Sequence, residues 1–203
     1  MSDPPSPIAG LSLAVDFVNT VWVTGGRTVD VMESRHGLRQ WLDAVAERLA
    51  QDGCRDTLRA SESLRRALLE DRQQIRSLFD AATGWGHIST GTLRHINECS
   101  RSAPIWMEIA DDQTNGMRVR RRRAAGADSD IRAALCDDAL QVVATGQVRS
   151  CGGPGCIGYF VPAPRQQFCS PQCSTRARVT RHRAAAKSGQ DRPQTGRRST
   201  APD

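Results

Sequence analysis

The chain has 203 residues, of which 38% are hydrophobic and 25% charged, a composition typical of a protein with a packed core. No apolar run approaches the roughly 20 residues needed to cross a bilayer, and no targeting segment is recognisable, so we expect a cytoplasmic protein without a membrane partner. The net charge of +6 is unevenly distributed along the chain. Residues 1–145 carry 18 basic and 20 acidic side chains, whereas residues 146–203 carry 10 basic and two acidic ones. A polyanionic partner is therefore expected at the C-terminal part.

The predicted elements begin after residues 1–7, a Pro- and Ser-containing tail that we expect to be disordered. Residues 8–22 are compactly apolar, but their periodicity does not distinguish a helix from a strand. Asp16 and Asn19 interrupt this stretch, and they either tie the following loop to it or face a ligand cavity. A Gly-containing loop is expected over residues 24–31.

Helices are predicted where apolar residues recur at helical spacing, over residues 37–50, 55–82, 90–102 and 130–145. A hairpin is predicted between residues 105–110 and 117–123. Its second half contains an arginine cluster that either contacts phosphate or pairs internally with nearby aspartates. The widely spaced Cys54, Cys99 and Cys136 are expected to be buried free thiols. The four tryptophans would line a cavity or pack in the core; they are Trp22, Trp41, Trp85 and Trp106.

Four further cysteines occur in two tight pairs separated by 12 residues, a spacing that suits a tetrahedral ion taking two ligands from each of two turns. Disulfides and unconnected thiols are the competing interpretations, but no signal for an oxidising compartment precedes the cysteines. We therefore predict one structural zinc ion in a closed all-thiolate site, which leaves no open position for catalysis. The predicted ligands are Cys151, Cys156, Cys169 and Cys173.

A helix is predicted to begin at the second cysteine pair, with Ser170 as its cap and Pro171 in its first turn. This helix is strongly basic and therefore suggests nucleic-acid binding, although some of its charge would offset the thiolates. The candidate contacts are Arg176, Arg178, Arg181, His182, Arg183 and Lys187. At about 100° per residue, Arg176, Arg183 and Lys187 share one face, and Arg178 and Arg181 lie nearly opposite.

The two cysteine pairs, the aromatic residues between them and the Arg-His-Arg run at 181–183 resemble the CGNR zinc finger. The four name-giving positions read Cys-Ser-Thr-Arg at 173–176, so Ser174 and Thr175 replace Gly and Asn. Phe168 stands where tryptophan is usual, and Pro162-Ala163 stands where an acidic residue is common. The resemblance implies a DNA-binding element of bacterial regulators.

Three segments resemble the mostly helical ABATE domain, which often precedes such a finger and is associated with stress-induced transcription regulation. They are LAVDFVNT at 13–20, Trp41-Leu42, and LRRALLEDRQQIRSLF at 64–79. We therefore predict a mainly α protein with an ABATE-like domain at 8–145 and a finger of short hairpin and basic helix at 146–188. A disordered basic tail is expected at 189–203.

The leading functional hypothesis is a zinc-dependent, one-component transcription regulator that binds double-stranded DNA. Its N-terminal domain would sense a small-molecule effector or form a homodimer. An RNA-binding zinc module is the alternative, because zinc knuckles and arginine-rich helices also bind RNA. An enzyme is not expected, since the sequence contains no nucleophile–base arrangement, phosphate loop or HExxH-type motif.

Overall fold

The computed structural model describes residues 12–54, 59–112 and 116–190, with side chains described for all of these except residues 112 and 187–190. The predicted tail at residues 1–7 lies outside the described residues, as does most of the one at 189–203. Within the described part, the mainly α fold class is confirmed. Its helices are α1 (Leu13–Val18), α2 (Arg35–Gln51), α3 (Glu62–Ala82), α4 (Thr90–Ser102), α5 (Ala127–Ala144) and α6 (Pro171–Gln190).

The strands of the described residues form three separate antiparallel hairpins. They are β1 (Val21–Thr24) with β2 (Arg27–Asp30), β3 (Trp106–Asp112) with β4 (Gly116–Arg122), and β5 (Arg149–Ser150) with β6 (Tyr159–Phe160). A 3₁₀ turn at Val31–Glu33 connects β2 to α2. The predicted hairpin around residue 113 is thus confirmed as β3–β4.

The apolar segment of undecided structure is the short helix α1, every residue of which is buried. A helix that is hydrophobic on nearly all sides has no solvent face, so α1 lies in the core and packs against α3 and α5. Ser12 caps it by accepting a hydrogen bond from the Val15 amide at 3.1 Å. The element is too short for its periodicity to be recognised in the sequence.

Two expected boundaries were wrong for identifiable reasons. The expected loop at 24–31 is largely the β1–β2 hairpin, whose two-residue turn is formed by Gly25 and Gly26 at φ of 56° and 77°. The helix expected from residue 55 begins at Glu62, because Ser61 caps it through the Leu64 amide at 3.0 Å. Residues 55–58 lie outside the described part.

Other expectations about side chains had mixed outcomes. The thiols of Cys54, Cys99 and Cys136 are buried and free, as predicted. Among the tryptophans only Trp41 is buried in the core, whereas Trp85 and Trp106 are 76% and 46% exposed and Trp22 is half-buried.

Three arginines of the cluster, Arg121, Arg122 and Arg123, form internal ion pairs, and their partners are not the aspartates that lie nearest in sequence. Arg121 pairs with Asp52 at 2.8 Å, and Arg122 pairs with Glu108 across the hairpin at 2.7 Å. Beyond β4, the buried Arg123 binds Asp137 on α5 at 2.5 Å and also donates to two backbone carbonyls. Strand register and helix packing select these partners, and the sequence displays neither.

Candidate metal centre and basic helix

The four cysteines of the C-terminal module come together at one point, with all four Sγ atoms within 4.8 Å of one another. The Sγ atom of Cys169 lies 3.6 Å from that of Cys156 and 3.6 Å from that of Cys173. A zinc ion with four sulfur ligands at about 2.3 Å spaces those sulfurs by about 3.8 Å. The cluster therefore fits one tetrahedral ion, and no histidine or carboxylate of the described residues shares it.

The first cysteine pair lies in a knuckle that the β5–β6 hairpin closes. The Cys151 amide donates to the Gly158 carbonyl at 2.9 Å, and the Cys156 amide donates to the Gly153 carbonyl at 2.9 Å. Gly155 adopts φ 68°, which lets the chain turn tightly between the two cysteines. Two further amides point at sulfur: that of Gly158 at Cys156 and that of Cys169 at Cys151, both at 3.4 Å. Such contacts hold the sulfurs in place from outside the cluster.

The second pair is held by the start of α6. The Ser170 hydroxyl accepts from the Cys173 amide at 3.3 Å, so Cys173 lies in the first turn of α6 and Cys169 lies just before the capping Ser170. The two halves approach closely at Gly153, where a Cβ atom would lie 3.0 Å from the Cβ of Cys173. Only glycine allows this approach without a shift of the backbone.

The ionisation of the clustered thiols is mutually dependent. Hydrogen bonds from Cys156 and Cys169 lower the pKa of Cys151 to about 2, whereas the pKa of Cys156 is raised to about 11 chiefly by its hydrogen bond to Cys151. A second thiolate is therefore disfavoured beside the first unless a positive charge lies among the sulfurs. A divalent cation provides that charge, which is the chemistry expected of a structural thiolate site.

Aromatic residues of the module pack in two directions. Phe160 is buried against Cys151 and Cys173, and Phe168 packs on the same cluster. Tyr159 instead belongs to the core of the helical domain, where its ring lies 5.4 Å from that of Phe79. Burial, together with the hydrogen bond that its hydroxyl donates to Asp80 at 2.6 Å, raises the pKa of Tyr159, so the hydroxyl stays a neutral donor.

Asn19 joins the metal module to the helical domain. Its buried amide group donates to the Tyr159 carbonyl at 2.7 Å and accepts from the Tyr159 amide at 2.9 Å, as a neighbouring strand would. Arg76 supports the same contact: it bonds the Val18 carbonyl at 2.9 Å and the Ile157 carbonyl at 2.7 Å, and it lies over the Tyr159 ring. The role of Asn19 is thus to hold the module, which the sequence did not reveal because the partner is 140 residues away.

Asp16 has a different structural role from Asn19. Its buried carboxylate pairs with Arg48 of α2 at 2.5 Å. Nearby, the Thr20 hydroxyl accepts from Arg72, which also makes two bonds to Asp30 at 2.7 and 2.5 Å. The polar residues of the LAVDFVNT segment therefore bind partners on α2, α3 and the metal module, whereas the first of the two interpretations expected Asp16 and Asn19 to tie the following loop to this segment.

The basic helix α6 packs against the module at its first two turns, where Cys173 and Ala177 are buried. Every side chain described from Arg178 to Ala186 is exposed, and α6 contains no acidic residue. The candidates Arg178, Arg181, His182 and Arg183 thus lie on an open helix. Lys187 belongs to α6, but its side chain is outside the described part.

Arg176 differs from the other candidates. It is only half exposed, and its Nη1 atom donates to the Pro154 carbonyl at 3.1 Å. This bond ties the start of α6 to the first knuckle. The sequence pattern could not separate Arg176 from the other arginines, because its partner lies in the glycine-rich turn.

The fold and the site define a helical domain to which a four-cysteine metal module with a basic helix is attached through Asn19, Arg76 and Tyr159. Comparison with family models agrees: residues 11–146 match the ABATE model, described as "putative stress-induced transcription regulator", and residues 147–186 match the CGNR zinc finger. The chain therefore belongs to the ABATE family and carries a CGNR zinc finger with a structural zinc site. No curated protein matches the chain. Among the described residues, every helix is too short or too polar to span a bilayer.

Proposed function

We propose that this protein is a DNA-binding transcription regulator in which α6 binds double-stranded DNA and the helical domain dimerises or senses an effector. The observation that carries the proposal is the exposed, acid-free helix that extends from a metal module fixed to that domain. The match to a family of transcription regulators supports it. As part of the same proposal, the protein acts in the bacterial cytoplasm, where free thiols stay reduced.

The dimensions of α6 suit the major groove. Its 20 residues span about 30 Å, and the groove is about 12 Å wide, which admits one helix. Among the described residues, the buried anchors of α6 lie in its first two turns, and the exposed side chains from Arg178 to Ala186 can face the groove. Basic side chains around the helix would then contact phosphates on both sides.

The surroundings of the arginines support different proposed roles in DNA binding. Arg178 and Arg183 are exposed on different faces, so one can contact a base edge while the other contacts phosphate. Arg181 and His182 extend the phosphate-contacting surface. Arg176 would act mainly by holding α6 in its orientation, through the Pro154 carbonyl.

RNA binding is less well supported by the side chains. Proteins that bind single strands usually offer exposed aromatic rings on which bases stack. In this module Tyr159 and Phe160 are 3% and 4% exposed, and Phe168 packs on the sulfur cluster. An enzymatic function is not proposed, because the matched families are a regulator and a zinc finger.

The decisive experiment measures binding of the full-length, zinc-loaded protein to duplex DNA and to matched RNA, before and after zinc removal by a chelator. We expect preferential DNA binding that is lost with the metal. About six phosphate contacts would give a slope of log affinity against log salt concentration of about −5. Equal or stronger RNA binding would favour the alternative, and absence of binding to either at low salt would refute the proposal.

Single substitutions of arginine test which side chains contact the DNA. Arg178→Ala and Arg183→Ala should each weaken DNA binding and reduce the salt slope by about 1 if the side chain contacts phosphate. The matched control is Arg39→Ala, which removes an exposed arginine of α2 with no side-chain partner in the described part. If Arg39→Ala weakened DNA binding as much as the α6 variants do, α6 would not be the element that binds DNA.

A further inference from the structure

The β3–β4 hairpin presents an exposed apolar face. Its register pairs Ile109 with Val119 and Asp111 with Met117, so these side chains and Met107 point to the same side of the hairpin. Met107, Ile109, Met117 and Val119 are 64%, 68%, 76% and 61% exposed. Scattered apolar residues are normal on a surface, but a contiguous group on one face indicates an interaction site.

The hairpin is held at its base, and within the described part of the chain no third strand pairs with it and its apolar face is exposed. The Arg123 amide donates to the Gly53 carbonyl at 3.1 Å, and Gly53 approaches so closely that a Cβ atom there would lie 2.8 Å from the Arg122 amide nitrogen. Arg121 adds its ion pair to Asp52. A two-stranded hairpin is at best marginally stable by itself, so an exposed hairpin with one apolar face calls for a packing partner.

The apolar face continues into a cleft at the base of the hairpin. Met107 and Arg121 belong to that face and also line a cleft of about 840 Å³ against α4 and α5. Pro104, Ile105 and Trp106 add apolar surface, and Ile105 and Trp106 are 43% and 46% exposed. An apolar surface therefore runs from the tip of the hairpin to this cleft, whose lining also includes the charged side chains of Asp52, Arg101, Asp137 and Asp138.

The charged side chains on this face are complementary to those on the same face of a second copy of the chain. Asp111 lies at the tip end of β3, and Arg121 lies at the base end of β4, diagonally opposite. When two such hairpins stack tip to base, each Asp111 reaches the end of the other hairpin that carries Arg121. The Arg121 side chain is 54% exposed beside Asp52, so its guanidinium group can donate to a second carboxylate. Stacking tip to tip would bring like charges together instead.

We propose that the β3–β4 hairpin is a dimerisation arm that stacks, tip to base and apolar face to apolar face, on the hairpin of a second copy of this chain. In this arrangement Met117 of each copy enters the cleft of the other, and the contact is isologous, so it closes as a two-fold dimer. The inference deepens the proposed function, because a two-fold dimer presents two α6 helices to two half-sites. Its evidence is independent of DNA binding.

The test is the mass of the full-length, zinc-loaded protein in solution without DNA, measured by light scattering and by sedimentation equilibrium. We expect twice the 22.2 kDa of one chain. The double variant Ile109→Glu/Val119→Glu should raise the dimer dissociation constant by more than about 100-fold, because it removes two buried apolar contacts from each copy. Leu93→Glu, at an exposed apolar residue of α4, is the matched control and should leave the dimer intact.

A second pair of variants tests the tip-to-base arrangement. Asp111→Arg should raise the dissociation constant about threefold to tenfold, whereas Arg120→Ser on the opposite face should not change it. Met117→Glu gives an independent disruption at the most exposed position, and circular dichroism checks that each variant keeps its fold.

The outcomes separate this inference from the proposed function. A monomer at every concentration, or a dimer that survives Ile109→Glu/Val119→Glu, overturns the dimerisation arm whether or not DNA binds. A dimer that dissociates in the hairpin variants supports the arm even if no nucleic acid binds. Arg178→Ala should leave the mass unchanged, because α6 takes no part in this contact.

Discussion

Replacing Asn19 by alanine tests whether one buried amide fixes the metal module on the helical domain. The substitution removes two hydrogen bonds and leaves both the amide and the carbonyl of Tyr159 buried without their partner. Each bond contributes about 1 kcal/mol net, and each unsatisfied buried group adds a desolvation cost, so we expect a loss of about 3 kcal/mol in the free energy of unfolding. For a chain of this size that corresponds to a decrease in melting temperature of about 6–12 °C.

Urea denaturation measures the loss, and hydrogen exchange locates it. We expect faster exchange of the Tyr159 amide and of the neighbouring β5–β6 amides, together with faster zinc transfer to a colorimetric chelator. Asn97→Ala is the matched control, since Asn97 is exposed on α4 and should change stability by less than about 0.5 kcal/mol. If Asn19→Ala were as stable as wild type and exchanged no faster, the module would be held by other contacts and the reasoning would fail.

Three further predictions concern the metal and the buried ion pairs. Removing zinc with a chelator, or the substitution Cys156→Ser, should abolish stoichiometric zinc binding and reduce helicity because α6 unfolds. Helices α1–α5 should still unfold in a cooperative transition. An unchanged far-UV circular dichroism spectrum would contradict this prediction. Gly153→Ala should weaken zinc binding in a competition assay, because its Cβ would lie 3.0 Å from that of Cys173, whereas Gly152→Ala, with nothing within 4 Å, should not. Burial opposes ionisation of Asp30, but its bonds to Arg72 prevail and keep the pKa of Asp30 below its ordinary value. The stability from this pair is therefore present above about pH 4 and lost as pH falls below it, and Arg72→Met should flatten that decline in urea titrations between pH 3 and 7.

The metal module was the most predictable part of the fold, because its determinants are local in sequence. Two short cysteine spacings, the glycines of the first knuckle and the Ser170 cap each act within a few residues, and the structure brings the four sulfurs together as those spacings suggest. Ligand chemistry thus restricts the backbone enough for the sequence to specify the site. The long amphipathic helices were recognisable for a similar reason, since their apolar stripes repeat over several turns.

The contacts that organise the domain were not predictable, because each joins residues far apart in the chain. Asp16 and Asn19 are three positions apart, yet one binds α2 and the other binds the metal module. The sequence left open whether the arginine cluster contacts phosphate or pairs with nearby aspartates, and register and packing directed Arg121 and Arg123 to the more distant Asp52 and Asp137. Composition shows that buried charges need partners, and only the three-dimensional fold identifies them.

The small core of the metal module explains why it is attached so firmly. Its own buried cluster consists of Phe160 and cysteines, with Phe168 packed alongside, which is too little apolar surface to order a module of this size. The metal supplies one constraint, and Tyr159 supplies another by extending the core of the helical domain. A rigid attachment also fixes the direction of α6, because α6 is connected to the rest of the chain through Cys169, Cys173 and the Arg176–Pro154 contact. The relative orientation of two α6 helices in a dimer would then be determined by the helical domains, so an event at those domains could change DNA binding without touching α6.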